Sequence, residues 1–143
     1  MRRLSIATAI CLFAIAAPAS SVQPIDPADQ AEFDAMRALW NDLEIEDYSY
    51  RISRSCFCPE EFTRRVEIVV RNGKPKSGGG TAYRSVNTLD KVFRVARGAL
   101  DDDVFSIRYS PRYGFPKGIS TNPDLNTFDE EVGYTVRRFE ATR

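Results

Sequence analysis

Strand-like segments occur in two groups along this chain, and the grouping constrains its fold more than any other feature. The first group lies at 48–53 and 66–70, where apolar and polar side chains alternate with the period of a half-buried strand. The second group follows at 104–109, 117–121 and 132–139. Strands that follow one another directly, without a helix between each pair, favour an antiparallel sheet.

A turn signal joins the second segment to a short third one. Asn72-Gly73 is typical of a two-residue hairpin turn, because both residues tolerate a positive φ. The stretch that follows contains Pro75, which cannot donate a ladder hydrogen bond, so any strand there is short or at an edge. The glycine-rich loop 77–80 lacks the Gly-Lys-Ser/Thr ending of a phosphate-binding loop.

Two amphipathic helices accompany these strands. Asp26 and Pro27 predict the start of a helix over 27–42, with Asp26 as the N-cap, and Trp40 on its apolar stripe is expected in the core. Asn87 or Thr88 caps a second helix, whose apolar stripe is Leu89, Val92, Phe93, Ala96 and Leu100. The predicted fold is α+β: an antiparallel sheet of about five strands with two helices packed on one face, in the order α-β-β-(β)-α-β-β-β.

The N-terminus has the three parts of an export signal. Met1-Arg2-Arg3 is positively charged, residues 4–16 are apolar and uncharged, and Ala17-Pro18-Ala19 offers small residues to a signal peptidase. We therefore predict a signal peptide over 1–19, a linker over 20–27 and a single α+β domain over 28–143. A retained membrane anchor and a lipoprotein modified on Cys11 are the alternatives, although the apolar run is short for a membrane span. The predicted location is secreted or periplasmic.

Composition excludes several classes of function. The chain has no histidine, which rules out Ser-His and Cys-His nucleophile pairs, histidine-ligated zinc and a histidine general base. Loss of Arg2 and Arg3 with the signal peptide leaves two more acidic than basic side chains. A nucleic-acid partner would require a basic stripe, so none is predicted. No later segment has the length of a membrane span.

Cys56 and Cys58 are the only cysteines left after processing, and an exported protein meets an oxidising compartment. We predict a disulfide between them. If the alternation of Tyr48, Tyr50 and Ile52 holds to the end of the strand, both cysteines continue the same inward face. So short a loop contributes only about 1.5 kcal/mol of chain-entropy stabilisation. The bond therefore either fixes a kink before Pro59 or serves thiol–disulfide exchange.

The exchange interpretation requires positive charge near a thiolate, which Arg54, Arg64 and Arg65 would supply. Against it, the chain has no Cys-x-x-Cys at the start of a helix. The acidic runs 101–103 and 129–131 lack the spacing of a calcium loop, so neither a metal nor a cofactor is predicted.

Aromatic residues and prolines next to turns are the candidate binding residues. They are Phe57 and Pro59 beside the cysteines, and Tyr113 and Phe115 in the loop 113–116. Exposed aromatic turns make good anchors for a protein partner. The alternative is that Gly114 only shapes the turn and that Phe115 lies in the core.

Several of these elements together resemble the bacterial domain-of-unknown-function family 6174. They are Tyr48-Ser49-Tyr50, Cys56-Phe57-Cys58-Pro59-Glu60, Asn72-Gly73, Thr88-Leu89-Asp90 with Phe93, Tyr109 with Gly114-Phe115-Pro116 and Ile119, and Asp129-Glu130-Glu131 with Tyr134. The resemblance covers about residues 40–139, and Cys-Phe-Cys-Pro is its most specific part. It implies an exported or lipid-anchored envelope protein with one compact domain, and it implies no activity.

The sequence thus predicts an exported envelope module that binds a protein or peptide and is not an enzyme. The alternative is a thiol–disulfide redox enzyme or sensor that uses Cys56 and Cys58. An exposed patch formed by the two aromatic turns side by side would favour the binding module.

Overall fold

The computed structural model describes residues 25–102, 104–124, 126–127 and 129–142. The predicted signal peptide, its cleavage site and Cys11 lie outside the described residues. The elements are α1 (Pro27–Asp42), β1 (Tyr48–Ser55), α2 (Glu60–Thr63), β2 (Val66–Arg71), β3 (Lys74–Ser77), a 3-10 turn (Arg84–Val86), α3 (Leu89–Ala99), β4 (Val104–Tyr109), β5 (Pro116–Asn122) and β6 (Val132–Ala141). The six strands form one antiparallel sheet in the order β3-β2-β1-β6-β5-β4.

The α+β class and the antiparallel sheet are confirmed, but two details of the prediction are wrong. The sheet has six strands rather than about five, because β3 pairs with β2 despite Pro75. An edge strand has one side without a partner, which is where a proline is tolerated. The sequence also gave no sign of α2, since a single helical turn is too short to show hydrophobic periodicity.

Local signals placed the main helices and the first hairpin correctly. The Asp26 carboxylate accepts a hydrogen bond from the Ala28 N–H at 2.8 Å, and α1 spans the predicted residues. Thr88, rather than Asn87, caps α3, because its hydroxyl accepts from the Lys91 N–H at 3.2 Å. The turn residues Asn72 and Gly73 both have positive φ, as a two-residue hairpin turn requires.

The core lies between one face of the sheet and the helices α1 and α3. Tyr48 of the central strand β1 contacts both helices. Its ring meets Trp40 of α1 edge to face at 5.5 Å, and its hydroxyl accepts the Leu89 N–H at 3.0 Å, at the start of α3. Tyr50 on the same face donates its hydroxyl proton to the Val86 carbonyl at 2.5 Å. These bonds satisfy backbone groups that the core would otherwise leave unpaired.

The turn between β4 and β5 is held against α1 by a glycine. Gly114 has a φ of +79°, and a Cβ atom built there would overlap the Met36 carbonyl oxygen of α1. Only glycine combines that conformation with such a close approach. The turn therefore places Phe115 beneath Trp40, with their ring centres 6.1 Å apart.

Candidate functional site

The cysteine pair lies just beyond the end of β1. The strand ends at Ser55, and the Cys56 and Cys58 sulfur atoms are in bonding contact, with Cα atoms 5.3 Å apart. That separation is ordinary for a disulfide. The prediction that both cysteines continue the inward face of the strand is wrong, because β1 ends before them and both are only half-buried. Arg54 is the last residue of β1 on the inward face.

Phe57 projects from the bend that the cysteine pair closes. Its side chain is 84% exposed, compared with 48% for Val104 and 39% for Leu43, the other exposed large apolar residues of the described chain. Pro59 is also exposed and precedes the short helix α2. An aromatic ring this exposed makes few contacts within its own chain, so packing of the domain does not explain its presence.

A polar cleft of about 550 Å³ opens beside Phe57, between the end of β1 and the segment that joins β5 to β6. Its size lies within the range of ligand-binding pockets, about 300–1,000 Å³. Side chains on its wall include Ser55, Asn122, Asp129 and Glu131. The Oδ1 atom of Asn122 is buried and has no hydrogen-bond partner. The cleft therefore presents polar groups next to an exposed aromatic ring.

The second predicted pair of binding residues lies elsewhere. Phe115 is only 4% exposed and packs 4.8 Å from Phe139, while Tyr113 is half-buried 4.7 Å from Phe139. On β6, Gly133 pairs with Ser55 and Phe139 follows six residues later, which corresponds to about 20 Å of strand. The structure thus does not bring the two aromatic turns together, and Phe115 belongs to the core.

Sequence reasoning missed the environment of Arg54, although the pattern contained a signal. The inward residues Tyr48, Tyr50 and Ile52 are followed at the same spacing by an arginine. Its guanidinium lies over an aromatic cage, 5.1 Å from the Tyr134 ring centre and 5.9 Å from that of Tyr83. One guanidinium nitrogen donates to the Ala82 carbonyl at 3.3 Å, and the buried Nε has no partner. The Arg54 side chain therefore interacts with these aromatic rings and with the segment that precedes the 3-10 turn.

The acidic runs 101–103 and 129–131 carry carboxylate oxygens of the kind that a hard cation binds. In the part of the chain that the structure describes, no group of three Cys, Asp or Glu side chains is placed to hold a metal ion. Asp129 and Glu131 line the cleft beside Phe57, while Asp102 accepts a hydrogen bond from the Thr121 hydroxyl. Asp103 lies outside the described residues.

Comparison with known proteins identifies a family. A model of a family of unknown function (DUF6174) matches residues 32–141, which include all six strands of the sheet. No curated protein and no solved structure matches the chain. Within the described residues, no helix has the length and apolar character needed to cross a membrane.

Proposed function

We propose that this chain, which belongs to the DUF6174 family, is an exported, non-enzymatic module that binds a protein or peptide partner through Phe57. The observation that carries the proposal is the 84% exposure of Phe57 on a bend closed by two cysteines. A large aromatic ring is costly to leave in water, and burial in a partner recovers that free energy.

The cysteine pair supports this role by holding the bend in one conformation. A contact residue that is already ordered loses less conformational entropy when it binds. The cleft that Phe57 lines adds Ser55, Asn122 and Asp129, which offer polar contacts around the ring. An aromatic anchor surrounded by polar groups is the usual composition of an interaction hot spot.

Capture of a partner from the producing organism tests the proposal. The domain carrying Phe57→Ala should lose the captured protein or peptide, whereas Leu43→Ala should retain it. Leu43 is exposed at the end of α1, near Trp40, which packs against Phe139 at the other end of the sheet. Loss of an anchor residue typically weakens binding by about 2 kcal/mol or more, which is about thirtyfold. Equal capture by Phe57→Ala and the unmodified domain would contradict the assignment of Phe57.

Export is the second part of the proposal, and intact mass tests it. We expect the mature protein to begin near Ser20, because signal peptidases cleave after small residues such as Ala19. Mass spectrometry of the protein recovered from its native cells should show that residues 1–19 are missing. A full-length chain, or one carrying lipid on Cys11, would overturn the cleavage and the location.

Replacing both cysteines by serine distinguishes binding from redox chemistry. We expect Cys56→Ser with Cys58→Ser to lower the free energy of unfolding by only about 1–2 kcal/mol, since the closed loop is very short. Partner binding should weaken and folding should persist. Mass spectrometry with and without reduction should show the bond in the unmodified protein.

The redox alternative predicts different results from the same preparation. A thiol–disulfide enzyme would show turnover on a reduced peptide and a potential well above about −300 mV in a glutathione titration. That combination would replace the binding proposal. A strongly reducing potential without turnover would support a bond that only holds Phe57 in place.

A further inference from the structure

A second cleft lies on the helix-covered side of the sheet, between α2, the 3-10 turn and α3. Its volume is about 690 Å³. Four of its lining residues are basic: Arg54, Arg84, Lys91 and Arg94. No carboxylate is among the lining residues of the described chain. The cleft is therefore positively charged in a protein whose overall charge is balanced.

The positive charge of Arg54 is not neutralised by an ion pair with any carboxylate of the described residues. Arg54 is half-buried, its guanidinium lies over the rings of Phe62 and Tyr134 and donates to the Ala82 carbonyl, and its buried Nε atom has no acceptor. A cation removed from water is normally paired with an anion, because desolvation is costly. An anionic ligand would supply that missing partner.

The other basic side chains of the cleft also form no ion pair within the described residues. Among the described residues, Arg37, Arg51 and Arg97 form ion pairs with carboxylates, but none of the four basic residues of the cleft does. Arg84 and Arg94 are exposed at its rim. Lys91 donates to Asn87 and to the Arg84 carbonyl, at 2.6 and 2.9 Å, which ties this part of the rim to α3.

The wall of the cleft is partly apolar. Phe62, Ala82 and Val95 line it between the basic groups. An inorganic anion would leave this surface uncovered, whereas an organic anion would bury it and pair with the arginines at the same time. We propose that this basic cleft binds an organic anion that carries a phosphate or carboxylate group on an apolar body.

Titration with small probes, followed by amide NMR signals, tests the proposal. Phenyl phosphate or benzoate should shift the signals of residues 82–85 and 91–95 in a saturable way, and the stronger probe identifies the preferred head group. Inorganic phosphate should bind more weakly, and benzyl alcohol should leave these signals unchanged. Non-saturable shifts, or an equal response to benzyl alcohol, would overturn the proposal.

Charge variants at the rim provide the matched comparison. Arg84→Gln with Arg94→Gln should weaken binding of the preferred probe about tenfold or more, because charge-assisted hydrogen bonds are lost. Both side chains are exposed, so the fold should persist. Arg137→Gln, an exposed arginine on β6, should leave the affinity unchanged. An unaffected double variant, or equal weakening by Arg137→Gln, would contradict a specific site. The result of this titration does not depend on whether Phe57 binds a partner, so the two proposals can fail separately.

Discussion

Replacing Trp40 by alanine should lower the free energy of unfolding by about 3–5 kcal/mol, the usual cost of removing a large buried aromatic side chain. Trp40 is 5% exposed and meets the rings of Tyr48, Phe115 and Phe139 edge to face at 5.5–6.1 Å. It therefore joins α1 to the central strands and to the turn before β5. Small domains have a total stability of about 5–15 kcal/mol, so much of it would be lost.

Chemical denaturation of both proteins measures this difference. The matched control is Leu43→Ala, at the end of the same helix, where the side chain is 39% exposed. That substitution should change the stability by less than about 1 kcal/mol. Similar unfolding free energies for Trp40→Ala and Leu43→Ala would show that the aromatic cluster does not hold α1 to the sheet.

Alkaline pH should destabilise the domain steeply because two core tyrosines ionise only when it unfolds. Burial raises the pKa of Tyr48 to about 12, and burial also raises the pKa of Tyr50 above its ordinary value. The unfolded chain ionises both at about pH 10. Their contribution to stability is therefore complete below pH 10 and is lost as the pH rises towards 12. Tyr48 alone accounts for about 2–3 kcal/mol over that range.

Denaturation at a series of pH values, with Tyr48→Phe and Tyr50→Phe combined as the comparison, isolates this effect. The double variant should be less stable at neutral pH, because the Leu89 N–H and the Val86 carbonyl lose their partners. Its stability should fall less between pH 10 and 12 than that of the unmodified protein. Parallel alkaline curves, or six tyrosines that all ionise near pH 10 in the folded protein, would contradict burial of this pair.

Local patterns sufficed to predict most of the fold. Alternation along Tyr48 to Ile52 and the cap at Asp26 depend on neighbouring residues, so one sequence reveals them. The same local signals limited the cap of α3 to Asn87 or Thr88, and the structure identifies Thr88. The antiparallel class followed from strand order. The one-turn helix α2 was missed because four residues carry no period.

The site was harder to predict because it depends on contacts between distant segments. Sequence placed Phe57 and Phe115 in the same class, an aromatic residue beside a turn, but one is 84% exposed and the other 4%. The difference arises from Gly114, which brings its turn against the Met36 carbonyl of α1. The basic cleft likewise combines residues of β1, the 3-10 turn and α3. Its arginines, at positions 54, 84 and 94, are far apart in the sequence.

Site-specific photo-crosslinking at position 57 tests the central proposal most directly. A photoreactive phenylalanine analogue would replace Phe57 in one protein and Leu43 in a control, each produced in the native cells. We predict one discrete crosslinked protein or peptide at position 57, absent at position 43 and reduced when both cysteines are serine. No crosslink at position 57, or the same products at both positions, would contradict a binding role for Phe57.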